Sequence, residues 1–142
     1  MNLYEEEFRK DFEKACDKLG WSHYHVSGIE GIHDLLLFNG TTGLTVELKI
    51  LEPKKHKHSV HNTFKPTQMP FYLNQISASK TPTFIAVKYV DDTITYALHQ
   101  LKTAKDVIGF FASKWQETFD SNKTFSSPLS LIEYLDNLYG RT

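Results

Sequence analysis

Gly31-Ile32-His33-Asp34-Leu35-Leu36-Leu37-Phe38, then Asn39-Gly40-Thr41-Thr42-Gly43, then Leu44-Thr45-Val46-Glu47-Leu48-Lys49-Ile50-Leu51 is two apolar runs flanking a turn. Ile32 to Phe38 is a β-type apolar run interrupted only by His33 and Asp34. The five residues after it are strong turn chemistry, and Leu44 to Leu51 resumes a strand, so the two runs form a hairpin. Side chains alternate along a strand. Thr45, Glu47 and Lys49 therefore face one way, and Val46, Leu48 and Ile50 the other.

Before this stretch, Leu3 to Leu19 reads as an amphipathic helix. Tyr4, Phe8, Phe12, Ala15, Cys16 and Leu19 recur at spacings of three and four, and Gly20 closes it. Tyr24 and Val26 point to a short strand before the hairpin. Beyond Leu51 comes a loop, and then a helix opened by Pro66 or Thr67 and running to about Ser79, with Pro70 in its first turn. Thr83 to Val90 and Thr93 to His99 form a second hairpin turning at Asp91-Asp92. Thr103 with Asp106 resembles a capping box at the head of a helix to about Phe119, and Ser127-Pro128 opens a last helix to Tyr139. The expected order is α-β-β-β-α-β-β-α-α: an α/β class with a mixed sheet flanked by helices, in one domain spanning 1–142.

Composition allows this. A chain of 142 residues with 40% hydrophobic and 23% charged residues is that of one folded domain with an ordinary core. Its single cysteine cannot form an internal bridge, and on the apolar face of the first helix Cys16 is expected to pack as a small hydrophobe. The acidic start at Glu5-Glu6-Glu7 is unlike a secretory signal, and no apolar run reaches membrane-spanning length. The expectation is a cytoplasmic protein with no membrane partner.

Net charge is −1, but it is unevenly spread. The segment from Lys54 to Lys65 holds Lys54, Lys55, Lys57 and Lys65 and no acid, which leaves −5 for the rest of the chain. His56, His58 and His61 lie in the same segment. They lack a cysteine or a fourth histidine at standard zinc spacing. The segment reads either as a phosphate-binding footprint or as a solvated loop. Should it not bind phosphate, Lys65, Lys80 and Lys88 mark the alternative groove. Trp21 and Trp115 read as core or interface residues.

The chemistry concentrates on the first hairpin. Asp34 opens its first strand, and thirteen positions later Glu47 and Lys49 share a face of the second. The turn brings the start of one strand beside the far half of the other. Two carboxylates and an ammonium then converge on one edge of a buried sheet. Burying such charges is costly unless they are paired or bind a metal. Oxygen ligands suit Mg²⁺, with Mn²⁺ as a substitute. The plainer reading of Glu47 and Lys49 alone is an ion pair on a solvent face.

Asp34 in its apolar run, followed after a turn by Val46-Glu47-Leu48-Lys49, resembles the motif of the PD-(D/E)XK nuclease superfamily, nearest its Holliday-junction-resolvase-like and VRR-NUC-like branches. The resemblance spans roughly residues 3 to 100 and departs at His33, where the family usually has proline. It implies a restriction-endonuclease-like core. It further implies metal binding by Asp34 and Glu47 with the Leu48 carbonyl as a further ligand, a catalytic role for Lys49, and a supporting one for Gln68 in the following helix. Resolvase-like members also use a glutamate of the first helix. Of Glu5, Glu6 and Glu7, helical spacing to Phe8 and Phe12 favours Glu5. Glu5 has a second reading as favourable charge at a helix N-terminus. The implied function is a metal-dependent endonuclease hydrolysing DNA phosphodiester bonds, with branched, nicked or junction DNA as candidate substrates. Lys54, Lys55, Lys57 and Lys65 would contact the phosphate backbone. Two-strand cutting asks for a homodimer, and the aromatic helix Thr103–Phe119 is its candidate surface. The alternatives are a non-catalytic nucleic-acid-binding module of the same fold and an RNA-cleaving nuclease.

Overall fold

The structure, a computed structural model, describes residues 3–26, 35–52, 60, 64, 66–114 and 123–140, with side chains from residue 5 onward. Helix α1 (Leu3–Lys18) precedes β1 (Ser22–His25), β2 (Leu35–Asn39) and β3 (Thr42–Leu51). Then come α2 (Gln68–Ala78), β4 (Thr83–Val90), β5 (Ile94–Gln100), α3 (Ala104–Ala112), β6 (Lys123–Phe125) and α4 (Pro128–Tyr139).

The six strands form one mixed sheet in the order β1-β2-β3-β4-β5-β6. All neighbours are antiparallel except β3 and β4, which run parallel. A parallel pair needs a crossover, and the segment carrying α2 supplies it. Hairpin, crossover helix, parallel strand and antiparallel return make the restriction-endonuclease-like core. The β2–β3 turn is tight: Asn39 pairs with Thr42, and Gly40 takes φ 63° while Thr41 stays at negative φ. That sign pattern is of type II′, which puts glycine at the first turn position.

Helices cover both faces of the sheet at its centre. On one, Phe8, Phe12, Ala15 and Cys16 of α1 and Leu131, Ile132 and Leu135 of α4 bury Leu35, Leu37, Leu44, Val46, Leu48, Phe84, Ala86 and Leu98. Each fully buried Phe or Leu contributes about 1.5–3 kcal/mol relative to exposure. On the other face, Tyr72 of α2 and Val107, Phe110 and Phe111 of α3 bury Leu51, Ile85, Val87, Tyr89 and Ala97, together with Val60 and Phe64. Helix α1 ends as its glycine requires, with Gly20 at φ 77° and the Trp21 N–H bonded to Cys16 O at 2.9 Å. The Trp21 indole is buried and donates to Asp136 Oδ1 of α4 at 2.8 Å.

The structure corrects three expectations. A sixth strand, β6, pairs with the outer edge of β5; at three residues, Lys123–Phe125 is too short for alternation to be legible. Helix α3 has its Thr103–Asp106 capping box but ends at Ala112, with Ser113 extended at the C-cap, not at Phe119. Its Val107, Phe110 and Phe111 are buried in the chain's own core, so its aromatics do not form a free dimer surface. Lastly, β3 lies inside the sheet between β2 and β4, not at an edge. The crossover through α2 places β4 against its outer side. Trp115 lies outside the described residues.

Candidate active site

Strand β3 positions two of the expected residues. Glu47 pairs with Ile85 and Lys49 with Val87. Both project from the face covered by α2 and α3, while Val46 and Leu48 enter the opposite core. Glu47 is 6% exposed and Lys49 half-buried.

A buried carboxylate is costly unless hydrogen-bonded. Gln68, the first residue of α2 and only 5% exposed, donates from Nε2 to Glu47 Oε1 at 3.3 Å. Helix α2 follows Thr67, whose side chain makes no capping hydrogen bond. Its first i→i−4 bond runs from the Phe71 N–H to Thr67 O, 3.2 Å, so the N–H that Pro70 lacks is one the first turn leaves unused. About two turns beyond Gln68, Gln75 Nε2 donates to Thr45 Oγ1 at 3.1 Å and to Thr83 Oγ1 at 3.0 Å. Thr45 and Thr83 are cross-strand partners on β3 and β4. Gln75 thus fastens α2 across the parallel pair and sets where Gln68 meets Glu47.

The ammonium of Lys49 lies 4.6 Å from the centroid of the Phe64 ring. Such cation–π contact, with the aliphatic stem laid on an apolar surface, fixes a long side chain without neutralising it. Phe64 is itself buried against Phe110 and Phe111.

The other expected residues divide as follows. Asp34, Lys54, Lys55, Lys57, Lys65, His56, His58 and His61 lie outside the described residues. Leu35, which follows Asp34, pairs with Val46, which precedes Glu47. Glu5 is half-buried in the first turn of α1, on a helix that packs against the aliphatic side of the sheet. Among the described residues no group of three His, Cys, Asp or Glu side chains gathers as a metal cluster would. Lys80 is exposed and Lys88 half-buried. Phe64, Thr45, Thr83 and Gln75 were not expected at the site. Phe64 had one legible signal, a large apolar residue inside a lysine- and histidine-rich stretch. Gln75 had another, seven positions after Gln68 and so on the same side of a helix.

No family model matches the chain, and no curated protein matches it. Among solved structures it is similar to Hjc, a Holliday junction resolvase of Archaeoglobus fulgidus, at 16% identity over 64% of this chain and 74% of that one, with a TM-score of 0.45. A likeness this remote assigns neither residue nor activity. Among the described residues no helix is long and apolar enough to cross a membrane.

Proposed function

We propose that the chain is a metal-dependent endonuclease of the PD-(D/E)XK type, in its Holliday-junction-resolvase-like or VRR-NUC-like branch, hydrolysing phosphodiester bonds in DNA. The observation that carries this reading is the buried Glu47 carboxylate on a central strand, hydrogen-bonded by Gln68, with Lys49 two residues on along the same face. A Glu–Lys pair serving only solubility would stand on an open face.

The donor set fits a hard divalent cation, since carboxylates and a backbone carbonyl offer oxygen alone. Asp34 and Glu47 would hold Mg²⁺, or Mn²⁺ in its place, with the Leu48 carbonyl and Glu5 as further ligands. When bound, the ion stabilises charge on the phosphate and acidifies the water it holds. The chain's own residues supply the rest. The Lys49 ammonium donates a hydrogen bond to a phosphate oxygen or orients the attacking water. Phe64 keeps that ammonium in place, and Gln68 fixes the Glu47 carboxylate. Lys54, Lys55, Lys57 and Lys65 contact backbone phosphates, so recognition follows shape rather than base identity. One site cuts one strand. Symmetric cutting of branched, nicked or junction DNA is then the work of a homodimer.

Isothermal titration with Mn²⁺ tests the metal site. Asp34→Ala and Glu47→Ala should abolish divalent binding and Lys49→Ala should retain it. Equal binding by wild type and Glu47→Ala contradicts the proposal.

A further inference from the structure

The face of the sheet that carries Glu47 and Lys49 continues across β2 and β1. Phe38 pairs with Gly43 and Leu36 with Thr45, so both project on the side of Thr45 and Glu47; Tyr24, paired with Leu36, and Ser22, paired with Phe38, do likewise. Helices α2 and α3 bury this face over β3, β4 and β5. Over β1 and β2 two aromatic rings stand in solvent: Tyr24 is 59% exposed and Phe38 42%. They meet edge to face, centroids 5.8 Å apart and planes at 70°. The Phe38 ring also rests on Gly43, where a Cβ would come within 2.9 Å of it. Covering a strand glycine is reason enough for Phe38. It does not account for Tyr24.

We propose that Tyr24 and Phe38 form a stacking platform for an unpaired nucleobase of the substrate strand, on the shelf of sheet beside Glu47. This rests on the nuclease reading above and deepens it, giving the site a preference for strands with unpaired bases. Glu47 lies four positions along β3 from Gly43, about 13 Å at 3.3 Å per residue, so a strand crossing the site passes both within a few nucleotides. Ser22, Tyr24, Leu36 and Phe38, the positions of this face that α2 and α3 leave open, carry no acid to repel its phosphates. Their mutual contact and the glycine seat hold the rings in position before a base arrives, which lowers the entropy lost on binding. Aromatic rings on a sheet take any base, because every base offers a π-face. Size argues against a protein partner. Burying one aromatic side chain covers about 150–250 Å². Two exposed rings fall short of the roughly 800 Å² per side of a stable interface.

The test is fluorescence-anisotropy binding in EDTA, where no cleavage occurs, of a labelled single-stranded oligothymidine and of a blunt duplex. Tyr24→Leu and Phe38→Leu should weaken single-strand binding on the order of 5- to 100-fold and duplex binding far less, while Tyr24→Phe keeps wild-type affinity. An abasic nucleotide scanned along the oligonucleotide should cost the wild type the same factor at one position and cost Tyr24→Leu nothing further there. Single-strand affinity unchanged in Tyr24→Leu, or no measurable binding by wild type, overturns the platform. So does a wild-type dimer that Tyr24→Leu dissociates in sedimentation velocity, which would assign the rings to a second copy. Failure of the nuclease reading looks different: wild type then cleaves nothing with Mg²⁺, whatever Tyr24 does to binding.

Discussion

Glu47 and Gln68 show how one hydrogen bond reconciles burial with charge. Truncating the donor removes a hydrogen bond from a buried carboxylate, and hydrogen bonds to charged groups contribute about 1.5–3 kcal/mol. Gln68→Ala should therefore lose stability of about that size in urea unfolding and lower cleavage without abolishing it, whereas Glu47→Ala abolishes cleavage. Cys16 gives a prediction independent of function. Burial, aided by Asp17 and Glu13, pushes its thiol from 9.0 up to about 12. The folded state thus keeps a proton that the unfolded chain releases above pH 9. This contribution is fully present below pH 9 and is lost as pH rises toward 12, at up to about 1.4 kcal/mol per unit. Stability measured between pH 9 and 10 should fall more steeply in wild type than in Cys16→Ala. Above pH 10 buried Tyr89, its hydroxyl also pushed up by desolvation, adds a slope of its own. Equal slopes in the two proteins between pH 9 and 10 would remove this account of Cys16.

At the level of elements, α2 is the part that turns a sheet into a site. Gln75 bonds Thr45 and Thr83 and so sets the position of Gln68. Gln75→Leu touches neither Glu47 nor Lys49, yet displacement of the helix should cut kcat on the order of 10- to 100-fold. Undiminished turnover would show α2 to be held by its apolar face alone. Helix α4 begins with a reciprocal cap, in which Ser127 Oγ accepts from the Ser130 N–H at 3.1 Å. Ser127→Ala should cost about 1 kcal/mol, a fall of roughly 4 °C in Tm. The elements most legible in the sequence were those with local signals: the α1 stripe, the Asn39-Gly40 turn, the second hairpin and both capped helices. Alternation on β3 placed Glu47 and Lys49 on the face opposite the aliphatic core. Strand order was not legible, because the pairing of β3 with β4 is made across a long crossover that no local pattern records. For that reason β3 was expected at an edge. Phe38 read simply as apolar, since a strand with large residues on both sides does not say which side stays uncovered.

Across the whole molecule, charge separates binding from chemistry. The segment holding Lys54, Lys55 and Lys57 stands against −5 on the rest of the chain. Changing these three lysines to glutamine should weaken binding to every DNA sequence alike and flatten the slope of log affinity against log salt by up to roughly 0.9 per lost contact. An unchanged slope would move the DNA path toward Lys80 and Lys88. The nuclease site is tested by Mg²⁺-dependent cleavage of single-stranded, duplex, nicked and four-way-junction DNA by wild type, Asp34→Ala, Glu47→Ala and Lys49→Ala. Wild type should cut at least one of these substrates only when Mg²⁺ or Mn²⁺ is present. Each single variant should be inactive, and double variants little worse, as groups acting as one unit behave. Substantial cleavage by Glu47→Ala, or none by wild type on any substrate, would contradict the account.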